Sequence, residues 1–173
     1  MKYDPKLSRY AIKYLYKNKE TGKLFGPIKD FEYKVGKWCT IKGKVKACEN
    51  GFHVPSYNDI FLENYSWYDE YAKRNDYQVN DLIIALVEVS GYLSNTSYGY
   101  CHLDTGKIAF KRIKIIKEIT IDISSLPLEG EGSRWAAILN IVNKLNKKYR
   151  TIYHEDFDKY VFTNRLNNTY LIK

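Results

Sequence analysis

Cysteine is scarce in this chain: only Cys39, Cys48 and Cys101 occur, an odd number at irregular spacing. That excludes a regular disulfide framework and fits free thiols in a reducing compartment. Long hydrophobic runs are missing as well. The longest, Leu82 to Val87, falls far short of the roughly 20 residues that cross a bilayer, so no membrane partner is expected. The opening residues, Met1-Lys2-Tyr3-Asp4-Pro5-Lys6, lack the apolar stretch and small-residue cleavage site of a secretion signal. These absences lead to the expectation of a soluble, cytoplasmic protein. Proline is sparse, and Pro5, Pro27, Pro55 and Pro127 are scattered with no repeat or low-complexity linker between them, so one domain over residues 1–173 is expected. Gly22, Gly26 and Gly36 match neither nucleotide-binding fingerprint, which argues against ATP and GTP chemistry.

Positive charge and tyrosine are abundant. The formal charge is +8, unevenly spread. Residues 1–50 carry 13 Lys and Arg against 5 Asp and Glu, residues 51–105 carry 2 against 8, and residues 106–173 carry 13 against 7. Two basic lobes therefore flank an acidic middle. Such lobes favour phosphate or an acidic protein, and Lys37, Lys42, Lys44, Lys46, Lys111, Arg112 and Lys114 are the candidate binding residues. Seventeen tyrosines, with plentiful Asn, Lys and Ile, match the residue usage of an AT-rich genome. They also supply the rigid amphipathic area found in interfaces and base-stacking surfaces.

Local patterns predict an α+β fold, a mostly antiparallel sheet with two main helices packed on it. Ser8 to Tyr16 and a turn at Asn18 to Gly22 read as a hairpin. Short alternations from Phe31 to Val45, cut by Gly36 and Gly43, read as short antiparallel strands. Asn50-Gly51 is a turn signal, because that pair readily takes positive φ, and Phe52 to Val54 is a strand stopped by Pro55. A first helix is predicted after Ser56, with Phe61, Tyr65, Tyr68 and Ala72 on its apolar face. Leu82 to Val89 reads as a central strand buried on both faces. Lys107 to Ile123 alternates with a change of phase near Lys111, predicting a bulge or turn there. A second helix is capped by Ser133 and carries Trp135, Ile138, Leu139, Val142 and Leu145, and two short strands end the chain within residues 131–172.

Few residue sets suggest chemistry. Cys39, Cys48, His53, Cys101 and His102 offer zinc-ligand types at spacings that match no zinc ribbon or finger, so no metal is assigned. Cys48 and His53 form a conceivable nucleophile and base, yet neither falls at a helix N-terminus, where a thiolate is favoured.

Gly36-Lys37-Trp38, Cys48 through Val54, Ala85 through Gly91 and Lys107 to Ile119 together resemble a family of uncharacterised phage and bacterial domains. The resemblance covers roughly residues 25 to 120. It implies a mobile-element origin and carries no known activity. A weaker resemblance is to the ADP-ribosyltransferase fold, through Gly51 to Val54, the helix at Tyr65 and Glu88 to Gly91. It implies an NAD cleft with His53, Tyr65, Tyr68 and Asp158 (or Glu155) as residues to test. The position resembling the family's catalytic glutamate is Lys159, and its neighbour Asp158 would point to the other face of a strand.

The expectation is therefore a small phage-type accessory protein that binds rather than catalyses and needs no cofactor. It would bind a host protein or nucleoprotein complex, as an anti-defence inhibitor does. The alternatives are an NAD-dependent transferase or its degenerate relative, a virion component, or a nucleic-acid-binding protein.

Overall fold

The computed structural model describes residues 9–26, 31–45, 50–55, 80–92, 107–121 and 134–152. Among these residues seven strands appear in chain order: β1 (Arg9–Asn18), β2 (Leu24–Phe25), β3 (Glu32–Tyr33), β4 (Trp38–Thr40), β5 (Phe52–Pro55), β6 (Asn80–Tyr92) and β7 (Lys107–Ile121). One helix follows, α1 (Arg134–Tyr149).

The strands form one antiparallel sheet in the order β3-β2-β1-β6-β7-β4, with β5 also paired to β7. A parallel bridge joins Val35 to Ile115, and the Gly36 N–H donates to the Ile115 carbonyl at 2.8 Å. The chain leaving β3, at one end of the order, is thereby returned to β7 near the other end, so the sheet curls back on itself. β5 lies within this curl, because Lys13 of β1 donates its Nζ to the His53 carbonyl at 2.6 Å.

The expectation of two main helices on the sheet is corrected. The described residues are mostly antiparallel sheet, 59% strand, and α1 is the one helix among them. The physical reason is that the long strands β1, β6 and β7 build a sheet that curls on itself, bringing β5 against β1, so part of the face a helix would cover is covered by the sheet. The helix expected after Ser56, with Tyr65 and Tyr68, and the strands expected after Lys159 lie outside the described residues.

The Asn18 turn forms as its residues dictate. The Asn18 Oδ1 accepts from the Thr21 N–H at 2.8 Å and the Thr21 Oγ1 at 2.9 Å, and Gly22 takes φ 66°. β6 is central, between β1 and β7, and Ile83 through Val87 are fully buried, as a continuous apolar run requires. Each such aliphatic side chain contributes roughly 1.5–3 kcal/mol by leaving water. The change of phase on β7 appears as two consecutive exposed residues, Lys111 and Arg112, opposite a left-handed Gly91. A separate register shift places Leu86 against Lys117 and Val87 against Ile115, which leaves Ile116 as the extra, exposed residue of a bulge.

Helix α1 buries Ile138, Val142 and Leu145 in the same core as the sheet. It ends where Arg150 turns left-handed (φ 47°) and its N–H bonds the Asn146 carbonyl. The Tyr149 ring then meets the Tyr10 ring edge-on at 5.8 Å, and the Ile152 N–H bonds the Tyr10 carbonyl at 2.8 Å.

Candidate functional site

Alternation along the strands gives the sheet two distinct faces. The inner face carries Lys13, Leu15 and Tyr33. Lys13 is only 7% exposed, and its ammonium is held by the His53 carbonyl and lies 5.6 Å from the Tyr33 ring centroid. Phe31, Tyr33 and Phe52 form an aromatic cluster beside it, with centroids 4.9 to 6.1 Å apart. Burial raises the Tyr33 phenol well above its ordinary value, helped by nearby Cys39. Burial also raises the Cys39 thiol, so Cys39 is a poor thiolate at neutral pH.

The outer face carries a row set by register. Tyr10 pairs with Glu88, Glu88 with Lys114, and Lys114 with Trp38. With Tyr149 against Tyr10, the row runs from the end of α1 across four strands to β4. The Lys114 ammonium meets the Glu88 carboxylate at 2.5 Å, which cancels both charges within the row. Lys114 and Arg112 also lie 4.8 and 4.4 Å from the Trp38 ring centroid, a cation–π arrangement.

Around the Trp38 end the cations are uncompensated. Lys37, Lys42, Lys44, Lys111 and Arg112 are exposed, and none meets a carboxylate among the described residues. The β1–β2 hairpin differs: Lys17 pairs with Glu118, Lys19 with Asp81 and Lys23 with Glu32. The basic loop is also held in shape. Asn50 donates its Nδ2 to the carbonyls of Lys42 and Lys44, both at 2.9 Å, across a left-handed Gly43, and the Ile41 N–H bonds the Lys111 carbonyl at 3.1 Å.

Of the residues singled out by sequence, the structure thus gathers Lys37, Lys42, Lys44, Lys111, Arg112 and Lys114 around one strand edge, with Lys114 neutralised. Lys46, Cys48, Cys101, Tyr65, Tyr68, Glu155 and Asp158 lie outside the described residues. His53 and Glu88 are not brought together: His53 pairs with Ala109 near the start of β7, whereas Glu88 pairs with Lys114, further along the same strand. No group of three metal-ligating side chains occurs among the described residues, and none of their helices is long and apolar enough to cross a membrane. Sequence reasoning missed Tyr10 and Tyr149, which only register and the end of α1 bring into the row, and also Trp38 and Asn50. Trp38 sits inside a basic stretch, a signal of interleaved aromatic and basic residues that was readable. Asn50 was read as a turn former at an expected positive φ, but Gly51 is not left-handed. A Cβ on Gly51 would instead lie 3.2 Å from Ala109 and Val45, so the glycine is there for space and Asn50 for its amide.

The fold and site define a curled antiparallel β-domain with a basic, aromatic-bearing outer edge. The chain belongs to the family described as Domain of unknown function (DUF7666), whose model matches residues 11–124. The match starts at β1, ahead of the roughly 25 expected from sequence, because β1 is an interior strand of the sheet; α1 falls beyond it. No curated protein and no solved structure matches the chain.

Proposed function

We propose that this protein works by binding and that its basic edge, built by β4, β7 and the Lys42 to Lys44 loop, docks on a negatively charged nucleoprotein complex. In the fullest form of the proposal it is a small phage accessory protein that occupies a defence or nucleic-acid-handling complex in the host cytoplasm. The observation that carries the reading is the contrast in charge pairing. Lysines of the β1–β2 hairpin are matched by carboxylates, while Lys37, Lys42, Lys44, Lys111 and Arg112 share one edge and meet no acid among the described residues. Clustered like charges repel one another and destabilise a fold unless a counter-charge arrives, so such an edge favours an anionic partner.

Heparin serves as a generic polyanion to test this. The protein should bind heparin at low salt and be released steeply as salt rises, because each neutralised anion returns counterions to solution. Failure to bind heparin at low salt would refute the reading.

A further inference from the structure

We infer that the anionic partner of this edge is a single-stranded nucleic acid, with bases stacking on Trp38 and Tyr10. The inference rests on the polyanion reading above and adds what a phosphate track alone does not need: aromatic rings placed along the track. The row Trp38, Lys114, Glu88, Tyr10 is fixed by backbone register and closed by the Tyr149 ring. Three strand spacings of about 4.8 Å separate Trp38 from Tyr10, so the rings stand roughly 14 Å apart. Trp38 is half-buried and Tyr10 is 39% exposed, so each ring is anchored by the sheet and still presents surface; on Trp38 a base would take the place of the exposed Arg112 side chain, whose guanidinium would then be free for a phosphate.

Cations flank both rings. Lys37, Arg112 and Lys111 surround the Trp38 end, while Lys148 and Arg150, exposed at the end of α1, adjoin Tyr149 beside Tyr10. The one carboxylate in the row, Glu88, is cancelled by Lys114 and so does not repel a phosphate chain. A basic track with interleaved aromatics is the arrangement that single strands require, since their unpaired bases expose π-faces and their backbone carries the charge. Double helices hide those faces. An acidic protein would bury the same rings against its own side chains, so a strand with bases compared against one without them separates the two partners.

The test compares two oligonucleotides of equal length and charge on the full chain, one of thymidines and one of abasic residues. The thymidine strand should bind more tightly by at least roughly 5-fold, the low end for one stacked base, and by more with both rings occupied. Trp38→Leu should lower that ratio by roughly 5-fold or more, the share of one stacked base, while keeping abasic binding within about threefold, a pattern that loss of folding would not produce. Equal affinity of the two strands for the wild-type chain, with heparin binding intact, would overturn the stacking inference and leave an acidic protein as the partner. Loss of heparin binding as well would remove the polyanion reading beneath it.

Discussion

Gly91 offers a quantitative check on how β6 and β7 position the basic edge. It has φ 70°, and a Cβ placed on it would lie 2.7 Å from the Lys111 Cβ across the ladder. Gly22 has a similar φ of 66° but no heavy atom within 4 Å of such a Cβ. Gly22→Ala therefore carries only the left-handed backbone penalty, roughly 1–2 kcal/mol. Gly91→Ala carries that penalty plus the overlap with Lys111, an overpacking cost of roughly 1–3 kcal/mol. The entropy lost from the unfolded chain when glycine becomes alanine is common to both and cancels in the comparison. Urea denaturation followed by circular dichroism should place Gly91→Ala about 1–3 kcal/mol below Gly22→Ala with unchanged m-values. A double-mutant cycle with Lys111→Gly should recover most of that difference as a coupling energy. Equal destabilisation by the two alanines, or zero coupling to Lys111, would show that the close approach of Gly91 and Lys111 is not what shapes this bend.

Three further outcomes follow from the same geometry. Lys114→Ala leaves Glu88 unpaired on a surface where both side chains are only about one-fifth exposed, so it should cost roughly 1–2 kcal/mol, with much of the loss absent when Glu88→Gln is added; thermal unfolding of the cycle checks this. Asn50→Ala removes no charge but frees the Lys42 to Lys44 loop from two hydrogen bonds, so heparin affinity should fall several-fold with an unchanged salt slope, measured by titration at several salt concentrations. Burial holds the Tyr33 phenol above its ordinary value of 10.0, so the stability of its neutral form is complete below pH 10 and declines as pH rises above it. Tyr33→Phe should lose less stability than the wild type between about pH 8 and about pH 11, read from urea midpoints.

Much of the sheet is legible in local pattern. The run from Leu82 to Val89 announces a strand buried on both faces, and the α1 stripe of Ile138, Val142 and Leu145 announces its buried side. What local pattern could not supply is pairing. Nothing near β1 says that it lies along β6, or that β4 and β5 both join the same edge of β7. Lys13 shows the limit well. By sequence it reads as solvent-facing, yet the curl of the sheet brings the His53 carbonyl and the Tyr33 ring to its ammonium, forty and twenty residues away. The site follows the same division. The basic residues around Trp38 could be named from composition, whereas the neutralisation of Lys114 by Glu88 and the row to Tyr10 depend on register between distant strands.

The central claim is that the location of uncompensated charge, not its total, directs binding. It is tested most directly by comparing two substituted chains. One carries Lys42, Lys44 and Arg112 changed to Gln, and the other carries Lys17, Lys19 and Lys23 changed to Gln, so that each loses three positive charges. Heparin affinity measured against salt should lose roughly three units of log–log slope in the first chain and keep its slope in the second. Equal loss in both chains would contradict the account, since net charge alone would then explain the binding.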